Sequence, residues 1–242
     1  MTARFALTID EEWAHPEVLD DLFRELDARG LSATLFCTNP GPERAAHERA
    51  IHPNFRRAGN TLLKDRPDVL SWSDEEYYRW IVARTKQFCP EATGVRAHHL
   101  FSESGLLGVY REAGITYSSN QFLPLVHGLA PVPRRAVLEL PVYYMDYWDT
   151  AAGATGFRLP TLELDQPGLK VFDFHPNLVY INARSMDDYG RTRAVYSDPA
   201  QLLRHRATGR GVRTLWLELL DYLAARKTET LMLGEMSRLW GA

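Results

Sequence analysis

The stretch FALTIDEEW at residues 5–13 determines how the rest of the chain is interpreted. Its first five residues are apolar apart from one threonine, which is typical of a buried strand, and three acidic residues follow. A helix is predicted over residues 16–29, because apolar side chains recur there at helical spacing and Gly30 stands just past its end. Residues 31–37 repeat the strand pattern. The first part of the chain therefore predicts a parallel βαβ unit.

The same alternation of strands and helices continues along the chain. Ser73 and Glu76 form a capping-box sequence that predicts the start of a helix running to about residue 88. Further strands are predicted at 95–100, 115–120, 137–144, 170–174 and 228–233, and further helices at 104–113, 199–206 and 212–226. This alternation implies a parallel sheet, either open or closed into a barrel, and the length favours the barrel, since a single (β/α) barrel occupies about 250 residues. We therefore predict an α/β protein whose residues 1–242 form one barrel domain.

Composition excludes several classes of protein. The 242 residues include 28 Lys and Arg against 31 Asp and Glu, a net charge of −3, which argues against a nucleic-acid partner. No apolar run approaches the roughly 20 residues that a membrane span needs, and the N-terminus lacks the apolar centre of a signal peptide. The two cysteines, Cys37 and Cys89, are too few for a disulfide framework. We expect a cytoplasmic protein.

Carboxylate, imidazole and guanidinium groups follow the predicted strands. In parallel α/β folds functional groups collect at the carboxyl ends of the strands, and a barrel brings those ends to one mouth. Acidic residues end the first strand, and a His-Pro-Asn sequence occurs at both 52–54 and 175–177. The strand predicted at 95–100 contains Arg96 and His98. These positions are candidates for one site.

The acidic residues after the first strand have two readings. They could form a solvated turn before a helix, whose N-terminus favours negative charge. Asp10, however, directly ends an apolar strand, and strand alternation would direct Asp10 and Glu12 to the same side. Two neighbouring carboxylates can divide the work, one holding a cation while the other acts as a base.

Arg96 also has two readings, a surface ion pair or an inward group that orients a carboxylate, and its place in a buried strand favours the second. Strand alternation puts His98 on the side of Arg96 and His99 on the other. Zinc in a catalytic site takes about three protein ligands and keeps one position open. Asp10 or Glu12, together with His52 and one further histidine, would supply that number.

Six short motifs in this order resemble the polysaccharide deacetylase superfamily (NodB homology, carbohydrate esterase family 4), especially its WbmS-like branch, which is associated with O-antigen gene clusters. The resemblance extends from Leu7 to about Leu223 and implies a distorted (β/α) barrel that hydrolyses N-acetyl groups on sugars with the help of a metal. The motifs are LTIDEEW at 7–13, ATLFCT at 33–38, IHPNF at 51–55, VRAH at 95–98, ITYSSN at 115–120 and FDFHP at 172–176.

The resemblance also implies roles for individual residues. Asp10 resembles the base, Glu11 or Glu12 the metal carboxylate, His52 a metal ligand, Arg96 the group that orients the base and His175 the acid. From these motifs we predict a divalent metal, zinc in the first place, held by Glu12, His52 and His98. Trp13 and Asn54, which belong to the same motifs, are assigned to substrate binding.

Three positions depart from the usual pattern of the superfamily. One Asp and two Glu stand where two adjacent Asp are usual, Arg56 occupies the place of a second histidine ligand, and Ala97 and His98 replace a Pro and a Gly. Either His98 or His175 replaces the missing ligand, or the site has lost its metal. We therefore predict a metal-dependent deacetylase acting on a saccharide or small molecule. The alternative is an inactive, glycan-binding relative.

Overall fold

The protein is a curled sheet surrounded by helices. The computed structural model describes residues 2–41, 43–64, 66–135, 137–226 and 230–241. The strands are β1 (Ala3–Asp10), β2 (Thr34–Cys37), β3 (Glu48–Ile51), β4 (Gly94–Val95), β5 (Tyr117–Ser118), β6 (Val132–Arg134), β7 (Val137–Glu139), β8 (Val142–Met145) and β9 (Gly168–Phe174). The helices are α1 (Pro16–Asp27), α2 (Asp74–Lys86), α3 (Leu106–Glu112), α4 (Asp146–Ala152), α5 (Pro176–Tyr180), α6 (Met186–Gly190), α7 (Pro199–Arg204), α8 (Val212–Ala225) and α9 (Leu233–Gly241).

The nine strands form one sheet in the order β6-β7-β5-β4-β3-β2-β1-β9-β8. All neighbouring pairs are parallel except β6 and β7. Beyond β5 the chain crosses to β8, where the Leu123 N–H donates to the Val142 carbonyl at 2.9 Å and the Val142 N–H donates to the Gln121 carbonyl at 2.7 Å. This irregular pairing includes one isolated parallel bridge, between Phe122 and Val142, and joins the stretch after β5 to β8. The predicted α/β barrel is confirmed, in a distorted form.

The central strands β1 and β9 are buried on both faces, as expected for a parallel sheet covered by helices. The apolar stripe of α1 is fully buried at Val18, Leu22 and Leu26, and α1 packs against α5 and α8. On α8, the indole of Trp216 meets the ring of Phe174 in β9 edge to face, with 4.7 Å between the ring centroids. β1 and β9 also pair with each other from Ala3 and Gly168 to Ile9 and Phe174, and both strands end at the candidate site.

Three predicted strands differ from the structure. The strand predicted at 95–100 ends at Val95, and a 3₁₀ turn follows in which His99 adopts a left-handed backbone (φ 59°). The stretch 137–144 contains two strands, separated around Pro141, whose ring cannot donate to the ladder. Of the strand predicted at 228–233, residues 227–229 lie outside the described residues; 230–232 form no strand, and α9 begins at Leu233.

No helix in the described part of the chain is both long enough and apolar enough to span a bilayer.

Candidate active site

A cavity of about 800 Å³ opens at the carboxyl ends of β1, β8 and β9. Its floor carries acidic and histidine side chains, and its walls are mostly aromatic and apolar. The lining residues are Asp10, Glu12, Trp13, His98, His99, Leu100, Phe122, Met145, Tyr147, Trp148, Ala151, Asp173, His175, Asn177, Leu178, Tyr189, Arg193 and Tyr196.

Glu11 does not line this cavity. Its Oε2 accepts hydrogen bonds from the backbone N–H of Thr38 at 2.6 Å, the backbone N–H of Asn39 at 2.9 Å and the Thr38 hydroxyl at 3.1 Å. Burial raises the pKa of Glu11, although these hydrogen bonds act in the opposite direction. The side chain therefore joins the ends of β1 and β2, and it is occupied by structural contacts.

Glu12 reaches the cavity because the chain turns sharply after Asp10. Glu12 and Trp13 both have left-handed backbones, with φ of 49° and 56°, which is uncommon for residues other than glycine. Two long-range hydrogen bonds hold this turn: the Tyr196 hydroxyl donates to the Glu12 carbonyl at 2.8 Å, and the Trp13 N–H donates to the Thr38 hydroxyl at 3.0 Å. Asp10 and Glu12 thus face one cavity, through a turn and not through strand alternation.

Glu12 meets two histidines, His98 in the cavity floor and the buried His52, which is not among the lining residues. Its Oε1 lies 3.2 Å from Nε2 of His52 and 2.7 Å from Nδ1 of His98. Donor atoms of these three residues all lie within 4.8 Å of one another, and so do donor atoms of Asp10, Glu12 and His175. The structure therefore brings together Glu12, His52 and His98, the three residues predicted as metal ligands. His98 lies on the 3₁₀ turn after β4, where its backbone N–H donates to the Pro53 carbonyl at 3.0 Å.

The fully buried Arg96 lies behind the floor and connects strands on opposite sides of the barrel. Its Nη1 donates to the Thr8 hydroxyl at 2.7 Å, to Oδ1 of Asp10 at 2.9 Å and to Oδ1 of Asp173 at 2.7 Å. The other guanidinium nitrogens donate to the carbonyl and the hydroxyl of Ser119 at 3.0 and 2.9 Å. Arg96 is placed to hold the Asp10 carboxylate in one orientation.

Arg96 affects the pKa values of its two carboxylate partners, Asp10 and Asp173, unequally. Burial would raise the pKa of Asp10, but the positive charges of Arg96 and His52 more than offset it, so the pKa lies below its ordinary value. Burial dominates at Asp173 and raises its pKa to about 7 despite the same guanidinium. Asp10 is therefore ionised at neutral pH, in the state in which it can accept a proton.

His175 is paired with Asp146, a residue that sequence reasoning missed. The Nδ1–H of His175 donates to Oδ1 of Asp146 at 2.6 Å, and its backbone N–H donates to Oδ2 at 2.8 Å. Burial would lower the pKa of His175, but the fully buried Asp146 more than offsets it, so the pKa lies well above its ordinary value. Asp146 directly follows β8, so the rule that functional groups follow strand ends would have found it.

The remaining predicted residues have different surroundings. Trp13 lies on the cavity rim, and its indole contacts the His98 ring edge to face, with 5.2 Å between centroids. Asn54 is not among the lining residues; its Oδ1 accepts a hydrogen bond from the Arg56 N–H at 3.0 Å. Arg56 is exposed and lies outside the lining, and within the described residues its guanidinium makes no ion pair with Glu12.

Comparison with protein families identifies the group to which the chain belongs. The model of the family described as "WbmS-like: Polysaccharide deacetylase" matches residues 7–193. The chain belongs to the WbmS-like polysaccharide deacetylases. The predicted superfamily is therefore confirmed, and membership supports a hydrolase that acts on an amide bond of a saccharide.

Solved structures that resemble this chain are also described as polysaccharide deacetylases. WbmS of Bordetella bronchiseptica, described as a polysaccharide deacetylase involved in O-antigen biosynthesis, is 27% identical, with a TM-score of 0.78 and coverage of 90% of each chain. A protein from Mycobacterium smegmatis, described as a polysaccharide deacetylase, is 17% identical, with a TM-score of 0.57 and coverage of 98% of this chain and 89% of its own. The latter shows the likeness of fold alone. No curated protein matches the sequence.

Replacing Arg96 tests the charge balance of the site. In Arg96→Met, Asp10 and Asp173 stay buried without their cation, so we expect the free energy of unfolding at neutral pH to fall by about 3–5 kcal/mol. Urea denaturation measures this change. Arg66→Met, which removes an exposed ion pair with Asp68, is the control and should change little. The double variant Arg96→Met/Asp173→Asn should recover part of the loss, and an Arg96→Met protein as stable as the wild type would contradict this account.

Proposed function

We propose that this protein is a divalent-metal-dependent deacetylase that removes an N-acetyl group from an amino sugar or a related polar metabolite. The observation that carries the proposal is the meeting of Glu12, His52 and His98 beside an ionised Asp10 that Arg96 holds in place. The involvement of WbmS in O-antigen biosynthesis supports a saccharide substrate.

The residues present fit a zinc ion. One carboxylate and two imidazoles are a common ligand set of catalytic zinc sites, which leave a position open. Burial would raise the pKa of Glu12, but its hydrogen bonds to His52 and His98 more than offset it, so Glu12 is ionised and suited to a cation. The overlapping group of Asp10, Glu12 and His175 fits less well, because Arg96 already binds Asp10 and Nδ1 of His175 already pairs with Asp146.

The mechanism divides acid and base catalysis between Asp10 and His175, whose donor atoms lie within 4.8 Å of each other. Glu12, His52 and His98 would hold the divalent ion, which when bound would polarise the amide carbonyl and lower the pKa of water towards about 7. Asp10 accepts the proton of the attacking water, and Arg96 keeps its carboxylate aligned. His175 donates its proton to the departing nitrogen. Before this transfer, Asp146 stabilises the protonated ring of His175. Cleavage of the carbon–nitrogen bond then yields acetate and a free amine.

The alternative of an inactive glycan-binding relative depends on Arg56 in the place of a histidine ligand. The exposure of Arg56 and its position outside the cavity lining favour the enzyme. His98 supplies the second imidazole from a different element, the turn after β4. We therefore infer that the ligand set has been rearranged and not lost.

Replacing single ligands tests the metal site. Glu12→Gln and His98→Ala each remove one donor, so we expect zinc affinity to fall by more than about 100-fold, beyond the effect of losing an outer hydrogen-bond partner. Competition with a fluorescent zinc indicator measures affinity, and acetate release from N-acetylglucosamine measures turnover. Glu11→Gln is the matched control, because that carboxylate faces Thr38. Unchanged affinity in Glu12→Gln, with loss in Glu11→Gln, would refute the ligand assignment.

The hydrogen bond from Tyr196 to the Glu12 carbonyl should also affect the metal. Tyr196→Phe removes the bond and leaves the ring, so the left-handed turn loses one of its two anchors. We expect zinc affinity to fall by about tenfold, the lower end of outer-shell effects, while the unfolding midpoint of the metal-free protein changes little. The control Tyr222→Phe removes a hydrogen bond to Asp165, which is not a lining residue. Equal zinc affinity in the two variants would show that Tyr196 does not position Glu12.

A further inference from the structure

Asp173 is a fully buried carboxylate with a single partner among the described residues. Its Oδ1 accepts a hydrogen bond from Nη1 of Arg96 at 2.7 Å, whereas no described residue hydrogen-bonds to its Oδ2. A buried carboxylate with an unpartnered oxygen costs free energy, and an apolar residue would suit a strand buried on both faces better. Departures of this kind from the rules of stability are expected at functional sites.

Strand pairing places Asp173 beside the proposed base. Asp173 and Thr8 are partners in the parallel register of β1 and β9, and Asp10 follows two residues after Thr8. Side chains two residues apart on a strand project to the same face. Oxygens of Thr8, Asp10 and Asp173 therefore surround one atom in the barrel interior, Nη1 of Arg96, at 2.7, 2.9 and 2.7 Å.

These three oxygens compete for two protons, because Nη1 of an arginine carries only two N–H groups. The Thr8 hydroxyl donates its own proton to the Phe172 carbonyl at 2.8 Å, so towards Arg96 it can only accept. Hydrogen bonds between charged groups are stronger than those to a neutral hydroxyl. Of the two carboxylates, Asp173 makes the shorter bond to Nη1, and it is the tighter anchor of that nitrogen.

The position of Nη1 determines which oxygen of Asp10 is free. The Nε and Nη2 atoms of Arg96 donate to Ser119, which fixes one end of the guanidinium, and Asp173 fixes the other end. Nη1 then binds Oδ1 of Asp10 at 2.9 Å, and Oδ2 of Asp10 lies 3.8 Å from Nε2 of His52. Oδ2 is therefore the oxygen on the side of the proposed metal ligands.

We propose that Asp173 is a positioning residue, which fixes Nη1 of Arg96 and thereby directs Oδ2 of Asp10 towards the attacking water. Asp173 acts through Arg96 and does not touch the substrate. The inference deepens the proposed function and rests on it for the role of Asp10. The arrangement of Arg96 itself can be measured without the reaction.

Two variants of Asp173 test its effect on turnover. Asp173→Asn keeps an oxygen for a weaker, neutral hydrogen bond, and Asp173→Val removes the bond. For acetate release from N-acetylglucosamine by the zinc-loaded enzyme, we expect kcat to fall by about threefold in Asp173→Asn and by about tenfold or more in Asp173→Val, because small misplacements of reacting groups are costly. KM should change by less than about twofold, since Asp173 does not touch the substrate. An unchanged kcat in Asp173→Val would overturn the proposal.

The unfolding midpoint distinguishes positioning from a structural role. In both Asp173 variants the midpoint should stay the same or rise, because Asp10 still balances the charge of Arg96 and a costly buried group is gone. The control Glu48→Gln alters a carboxylate at the opposite end of the barrel, and it should lower the midpoint and leave kcat unchanged. That carboxylate accepts hydrogen bonds from Thr34, Tyr117 and Gly234. A midpoint that falls as far in Asp173→Asn as in Glu48→Gln would show that Asp173 is structural.

The guanidinium signals of Arg96 separate this inference from the proposed function. Arg96 is fully buried and hydrogen-bonded at both ends, so we expect separate Nη–H signals in ¹H–¹⁵N spectra of the metal-free protein. The Phe36 ring, whose centroid lies 4.3 Å from the guanidinium carbon, identifies these signals through nuclear Overhauser effects. Asp173→Val should broaden or merge the Nη1 signals, and Glu48→Gln should not.

The two measurements together give distinct outcomes. Absence of acetate release from the wild type, combined with broadened Arg96 signals in Asp173→Val, would refute the deacetylase and still support the positioning of Arg96 by Asp173. Sharp, unshifted Arg96 signals in Asp173→Val would overturn the positioning role, even in an enzyme that releases acetate.

Discussion

The contact between the Arg96 guanidinium and the carboxylates of Asp10 and Asp173 organises this molecule. Arg96 follows β4, and its two carboxylates belong to β1 and β9, so the guanidinium crosses the interior of the barrel. Burying charged groups is costly, several kcal/mol for each ion, unless every charge has a well-placed partner. Here two carboxylates and both polar groups of Ser119 surround the cation. The strand ends that carry the chemistry are thereby held in a fixed arrangement.

The three acidic residues at the end of β1 point to three different surroundings. Asp10 faces Arg96, Glu11 binds the end of β2, and Glu12 turns into the cavity on a left-handed backbone. A sparsely populated backbone conformation persists only where its surroundings over-determine it, and such residues concentrate at functional sites. Thr38 and Tyr196 supply those surroundings. Tyr196 also lines the cavity, so one side chain both forms part of the cavity wall and hydrogen-bonds to the proposed metal ligand.

Much of this organisation could be predicted from the sequence, because it depends on local pattern. The apolar run of β1, the stripe of α1 and the rule that functional groups follow strand ends suffice to place Asp10, His52, Arg96 and His175 at one mouth. The sequence could not predict that Glu11 binds the end of β2 while Glu12 turns into the cavity. These orientations depend on contacts with distant residues such as Tyr196, which lies 184 positions from Glu12 along the chain. His98 was predicted on the correct side for a wrong reason, because strand alternation does not apply to a 3₁₀ turn. Asp146 was missed because β8 is short and lies in the irregular part of the chain.

The most direct test of the central claim is a crystal structure of the protein grown with zinc, with anomalous diffraction measured at the zinc edge. We expect one strong peak at about 2.0–2.2 Å from Glu12, His52 and His98, with Asp10 still bound to Arg96 and Glu11 still bound to Thr38. An ion held by Asp10 and His175 without His98, or Arg96 turned away from Asp10, would contradict the account.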